Sequence, residues 1–197
     1  MKVLVTGGAG FVGTNLIKQL LKDGHNVVSI DNYSSGKKQN HQDGCTYWNY
    51  DLSQLPCPVL ERNEYDIIYH LGALARIQPS LKSPHKALFN NFVSTLNILE
   101  YARKLSNLKT FFYFSTDEVY GTILKKSAKE DYPLKPTNPY SVSKAAADML
   151  CQTYSKCYGL NILIVRPNNI YGPYQHIEKL IPATINAAYG GKKLIIH

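Results

Sequence analysis

Short apolar runs alternate along this chain with longer amphipathic stretches. Val3-Leu-Val5, Val27-Val-Ser-Ile30, Ile67-Ile-Tyr69, Phe111-Phe-Tyr-Phe114 and Ile162-Leu-Ile-Val165 have the length of strands, whereas Asn15 to Lys22, Lys86 to Leu105 and Tyr140 to Tyr158 have helical spacing. Leu88, Phe92, Leu96 and Leu99 form a helical stripe that reads as core packing. Strands separated by helices imply right-handed crossovers, and hence a parallel sheet covered on both faces. The expected fold is a doubly wound α/β domain spanning residues 1–197. Asn32 to Gln54, around a short strand candidate at Thr46-Tyr-Trp48, and Thr122 to Asn138, with Pro133 and Pro136, are expected to be surface loops. Leu194-Ile-Ile196 looks like the start of a strand, and the sequence stops at His197 with nothing to cover it. A further C-terminal, substrate-binding part is therefore expected.

Composition narrows the class. With 44% apolar and 18% charged residues in 197, the chain can bury one substantial core and is neither disordered nor fibrous. No apolar run approaches the roughly 20 residues that cross a bilayer, and Met1 leads directly into Lys2-Val-Leu-Val5, too short for a secretory h-region. A cytoplasmic protein without a membrane partner is expected. Cys45, Cys57, Cys151 and Cys157 lack both C-x-x-C spacing and an accompanying His pair, so they read as idle thiols and no metal is expected. The net charge of +8 is scattered in doublets such as Lys37-Lys38, Lys125-Lys126 and Lys192-Lys193. Such scatter reads first as solvated surface and second as attraction for a phosphorylated small molecule; a nucleic acid partner is not expected.

Two motifs at opposite ends carry chemistry. Gly7, Gly10 and Gly13 follow a strand and open a helix, where a glycine pattern becomes a phosphate cradle: a tight turn, close backbone approach by a pyrophosphate, and close helix packing. Asp31, at the end of the second strand, can accept both ribose hydroxyls of an adenosine and would repel a 2′-phosphate. NAD is thereby favoured, with NADP kept as the lesser alternative by Lys37 and Lys38. Asp51, after the third strand candidate, can accept from an adenine amino group or serve as a plain turn aspartate. At the other end, Tyr140-Ser-Val-Ser-Lys144 places a phenol and an ammonium on one helical face. Asn138 suits the N-cap of that helix and Pro139 its first position. The expected fold becomes Rossmann-like.

With Thr6-Gly-Gly-Ala-Gly-Phe-Val-Gly13, Asp31-Asn32, His70-Leu-Gly-Ala73, Ser115-Thr-Asp-Glu-Val-Tyr-Gly121, Tyr140 with Lys144, and Arg166-Pro-Asn-Asn-Ile-Tyr-Gly-Pro173, the chain resembles the extended short-chain dehydrogenase/reductase superfamily. Within it the resemblance is to the NAD-dependent sugar-nucleotide epimerases and dehydratases. Thr116-Asp117-Glu118 and Glu178-Lys179-Leu-Ile-Pro182 are similar to segments of the nucleoside-diphosphate-glucose 4,6-dehydratases.

The resemblance implies NAD held by Gly7, Gly10, Phe11, Val12, Gly13, Asp31, Asn32, Asp51, Leu52, Leu71, Ala73, Tyr140 and Lys144. It implies a nucleoside-diphosphate sugar held by Ser80, Asn91, Thr116, Asn169, Glu178 and Lys179, and a homodimer through the helices at Lys86 to Leu105 and Tyr140 to Tyr158. Tyr140, with its pKa lowered by Lys144, would take the C4 hydroxyl proton while Thr116 holds that oxygen. Glu118 would then take the C5 proton and Asp117 protonate the departing C6 hydroxyl, two roles that neighbouring carboxyl groups can divide. One departure stands out: the glucose dehydratases usually carry a His-Val-Asp-Arg-Ser type sequence where this chain has Arg76-Ile-Gln-Pro-Ser80, a version closer to some epimerases. A UDP-sugar 4-epimerase is thus the first alternative, a UDP-uronic acid decarboxylase a weaker one, and a non-catalytic NAD-binding regulator the alternative from another class.

Overall fold

The computed structural model describes residues 1–61, 63–124, 127–191 and 193. The expected strand at Leu194 to Ile196, Lys125-Lys126 and Lys192 lie outside them. In chain order the elements are β1 (Lys2–Thr6), α1 (Phe11–Lys22), β2 (Asn26–Asp31), β3 (Cys45–Asn49), α2 (Pro58–Glu61), β4 (Ile67–His70), α3 (Ile77–Lys82), α4 (Pro84–Ala102), β5 (Thr110–Phe114), α5 (Pro139–Tyr158), β6 (Ile162–Val165) and α6 (Leu180–Tyr189). The six strands are parallel, in the order β3-β2-β1-β4-β5-β6. Strand order reverses beside β1, and the C-terminal ends of β1 and β4 therefore frame the crevice in which such sheets bind ligands.

The two-residue alternation of the strands divides the core. Val3, Val5 and Val27 point to one face and pack with Ile17 and Leu20 of α1. Leu4, Val28, Ile68 and Phe111 point to the other and pack with Ile98, Leu99 and Ala102 of α4 and Ala147 and Cys151 of α5. Both faces are covered, as a doubly wound sheet requires. Each fully buried Leu, Ile or Phe side chain contributes about 1.5–3 kcal/mol.

The expected strands within the described residues all form, and the expected helices form with shifted ends; α1 begins at Phe11. Helices α2, α3 and α6 were not anticipated, and the last two each carry a proline, Pro79 or Pro182, within the first turn. There a missing amide removes no internal bond, so the residue that reads as a breaker is compatible with a helix start. Pro58, Pro84 and Pro139 open three further helices in the same way. The described part of Thr122 to Asn138 has neither helix nor strand, as expected.

A buried ion pair locks α5 to the end of β6. Asp148 is fully buried and receives two hydrogen bonds from Arg166, each 2.8 Å, and a third from Gln152 at 2.8 Å. Arg166 also donates to the Tyr120 hydroxyl at 2.9 Å and the Glu130 carbonyl at 2.8 Å, drawing in the loop before α5. Arg166→Ala would leave the Asp148 carboxylate buried without its counterion. Unfolding in denaturant should show a loss of about 3–5 kcal/mol; a loss below about 1 kcal/mol would mean that the pair is dispensable.

Candidate active site

A cleft of ≈ 1010 Å³ runs along the C-terminal edge of the sheet. Its lining brings together most of the residues singled out in the sequence: Gly7 to Asp31 at one end, Thr116, Asp117, Glu118, Tyr140 and Lys144 at the other, with Asn32, Asp51, Leu52, Leu71, Ala73, Ser80, Asn169 and Lys179 between and around them. Two are not among the lining residues. Asn91 is buried, accepting from the Leu74 amide at 2.7 Å and donating to the Leu74 carbonyl at 3.2 Å and to Ser143 Oγ at 2.8 Å. Its amide ties the loop after β4 to α5. Glu178 is turned to Arg76, Nη1 to Oε1 3.1 Å.

At the first end, Gly7 has φ +70, and a Cβ there would sit 2.9 Å from Gly72 of the neighbouring loop. A Cβ on Gly13 would overlap the Gly7 carbonyl oxygen, so both positions require glycine for the turn to close on α1. No side chain caps α1 at Gly10, which leaves its first amides and the positive end of its dipole free for an anion. Asp31, 8% exposed, accepts one amide on each carboxylate oxygen, from Ala9 at 2.9 Å and Tyr33 at 2.8 Å. Each oxygen keeps acceptor capacity toward the cleft. Asp51 accepts from the Ser53 amide at 2.9 Å, the Ser53 hydroxyl at 2.7 Å and Asn32 at 3.3 Å, and these bonds, with the charge of Lys86, hold its pKa low against burial.

At the other end, β5 runs into a short 3-10 turn, Asp117–Tyr120, capped by Thr116. The Asn138 amide links this turn to α5. Its Oδ1 accepts from the Ser141 amide at 2.9 Å, closing a capping box, while its Nδ2 donates to Glu118 Oε2 at 3.1 Å. The sequence announced the cap but not the grip on Glu118. Thr116 Oγ1 lies 3.2 Å from Asp117 Oδ1 and 3.3 Å from the Glu118 amide. A phenol, a hydroxyl and two carboxyl groups thus converge, a set able to move protons to and from neighbouring atoms of one ligand.

Burial dominates the charge balance at this end. Lys144, 4% exposed, donates to the Phe114 carbonyl at 2.6 Å and lies 4.4 Å from the centroid of the Tyr113 ring. Burial pushes its pKa down to about 8. The Tyr140 phenol is pushed up to about 12 by burial, with Glu118 and Asp117 adding to the rise and a hydrogen bond from Thr116 opposing it. The nearby His70 is buried and pushed down to about 3 by desolvation and by the charge of Lys144. It bridges Thr6 at 2.8 Å and Thr95 at 3.0 Å as a neutral ring.

Arg76, Lys86 and His176 also line the cleft and were not singled out as ligand contacts. The usable signal for Arg76 was its place just beyond β4, at the sheet's C-terminal edge.

The family model described as "NAD dependent epimerase/dehydratase family" matches residues 3–197. The dTDP-D-glucose 4,6-dehydratase of Dictyostelium discoideum is 38% identical over 218 residues, covering 100% of this chain and 50% of that protein. The dTDP-glucose 4,6-dehydratase of Haemophilus influenzae is 34% identical, covering 100% of this chain and 64% of that protein. Among solved structures, UDP-glucose 4-epimerase from Thermotoga maritima with UDP-glucose superposes with TM-score 0.92 at 28% identity, over 98% of this chain and 65% of the other. The dTDP-glucose 4,6-dehydratase of Streptomyces venezuelae, solved with NAD bound, gives 0.88 at 33% identity, over 97% and 63%. The chain thus spans between half and about two thirds of the length of these relatives.

The buried ammonium makes a prediction for pH. Below pH 8 the folded protein holds Lys144 charged against burial; above it the native state sheds a proton that the unfolded chain keeps until about 10.5. The unfolded state therefore binds more protons across that window, and stability attributable to Lys144 rises with pH. Relative to Lys144→Met, ligand-free protein should gain about 3 kcal/mol between pH 8 and pH 10.5 in denaturant titrations. A flat difference would mean that Lys144 is solvated.

Proposed function

Because the chain belongs to the NAD dependent epimerase/dehydratase family, we propose that the full-length protein is an NAD-dependent sugar-nucleotide 4,6-dehydratase, a lyase acting on dTDP- or UDP-glucose. The observation that carries this reading is the placement of Asp117 and Glu118 in the same cleft as Tyr140. A 4-epimerase needs only the phenol and its hydroxyl partner; dehydration also needs an acid and a base on the adjoining carbons.

The chain fits NAD. The uncapped N-terminus of α1 suits its pyrophosphate and Asp31 its adenosine ribose, with Phe11, Val12, Asn32, Asp51, Leu52, Leu71 and Ala73 around them. When bound, NAD supplies a reversible hydride acceptor. Tyr140 Oη takes the proton of the sugar C4 hydroxyl, and Thr116 keeps that oxygen in line. Lys144 orients the cofactor ribose from its anchor on Phe114. Glu118, fixed by Asn138, takes the C5 proton, and Asp117 delivers a proton to the departing C6 hydroxyl. Ser80, Asn169 and Lys179 contact the sugar and its diphosphate; Asn91 supports the wall behind them.

The second reading is a UDP-sugar 4-epimerase, favoured by the fold match to the Thermotoga maritima epimerase and by the Arg76 to Ser80 segment. In either case residues 1–197 form the cofactor domain with the catalytic residues, and the length of the relatives beyond it carries further substrate contacts. We place the protein in the cytoplasm, in keeping with four unpaired cysteines. Among the described residues no helix is long and apolar enough to cross a membrane. A homodimer is proposed through α4 and α5, which expose Phe89, Val142, Met149 and Tyr158.

In the full-length protein, Tyr140→Phe should lower kcat by on the order of 10²–10⁴ while NAD still binds. Undiminished turnover would mean that another group is the base. Asp117→Asn with Glu118→Gln should abolish formation of the 4-keto-6-deoxy product; unchanged dehydration would remove both from the mechanism.

A further inference from the structure

The segment that departs from the dehydratase pattern is also the one that reaches across the cleft. Arg76 stands at the N-cap position of α3, the helix that carries Ser80, and it lines the same cleft as Thr116 and Tyr140. Its Nη1 donates to both oxygens of Glu178, at 3.1 Å and 3.3 Å, across 102 residues of sequence. Glu178 belongs to the stretch His176 to Lys179 leading into α6, and His176, Ile177 and Lys179 line the opposite wall. Ahead of this stretch, the Pro173 carbonyl accepts from Asn15 of α1 at 3.0 Å. Residues 173–179 are therefore tied at one end to α1 and at the other, through the Arg76–Glu178 pair, to the start of α3.

The two side chains are 45% and 47% exposed, so as a source of stability the pair contributes little. Its consequence for a ligand is larger. A lone arginine lining the cleft would offer a two-pronged donor to any carboxylate on the sugar. A lone glutamate would repel one. Joined, they present nearly no net charge to the sugar, and a ligand carboxylate must displace Glu178 to reach the guanidinium. His176, whose Nδ1 is 3.7 Å from Glu178, lines the cleft nearby, as do the charged side chains of Lys179, Lys86, Asp117 and Glu118.

We propose that the Arg76–Glu178 pair is a specificity device, which makes the sugar end of the cleft accept neutral hexosyl nucleotides and discriminate against hexuronyl nucleotides. The inference rests on the reading of the cleft as a nucleotide-sugar site and adds the class of sugar it takes. It requires the two single substitutions to act in opposite directions. Glu178→Gln frees Arg76 for a ligand carboxylate; Arg76→Gln leaves Glu178 to repel it.

The test is equilibrium binding of UDP-glucose and UDP-glucuronic acid to the NAD-loaded full-length protein and both variants, read as the ratio of the two Kd values so that a loss common to both ligands cancels. Wild type should favour UDP-glucose by at least about tenfold. Glu178→Gln should reduce that preference about tenfold, and Arg76→Gln should increase it severalfold. Two variants that move the ratio in the same direction, or not at all, would overturn the specificity role while leaving the site reading intact. Wild type that prefers the uronate would overturn it too. Failure of wild type to bind either sugar, offered as its UDP and as its dTDP nucleotide, would overturn both this inference and the reading on which it rests.

Discussion

One charge kept out of water sets the terms for the rest of the site. Lys144 sits beneath the end of β5, its ammonium held by the Phe114 carbonyl and the face of Tyr113. A buried ammonium is costly, and the neighbouring groups keep its surroundings otherwise uncharged. His70 remains neutral between two threonine hydroxyls, and Asp148 is matched by Arg166. The same anchor fixes the register between α5 and β5, and so fixes where Tyr140, one helical turn earlier, stands relative to Thr116. Stability is spent to place a cation where a ligand will need it, a pattern found where burial and charge are arranged for chemistry.

Burial and the two carboxyl groups push the pKa of the Tyr140 phenol up, and Lys144, one helical turn away, is held by the Phe114 carbonyl. A positive charge brought close to the phenol acts in the opposite direction.

Much of this was legible in the sequence because it depends on local rules. Apolar runs such as Val3-Leu-Val5, alternating with amphipathic stretches, announced a parallel sheet covered on both faces, and Gly7 and Gly13 announced the turn between β1 and α1. Tyr140 and Lys144 followed from helical spacing and an N-cap at Asn138. What escaped depends on distance. Nothing in the neighbourhood of Asn138 points to Glu118, and Arg76 and Glu178 meet only because β4 and the segment before α6 end at the same edge of the sheet. The bonds of Asn91 escaped for the same reason: its partners Leu74 and Ser143 lie on other elements. Pro79 and Pro182 hid α3 and α6, since a proline that suits a first turn also reads as a break.

The central claim is that carboxyl groups beside the phenol carry a second proton transfer at the adjoining carbons of the sugar. The most direct test is to incubate the full-length protein with NAD and dTDP-glucose in deuterated water and weigh the sugar product. The account predicts loss of one water together with deuterium incorporated from the solvent into the deoxy sugar. A sugar of unchanged mass, inverted at C4 and free of carbon-bound deuterium, would contradict it and identify the chain's reaction as epimerisation.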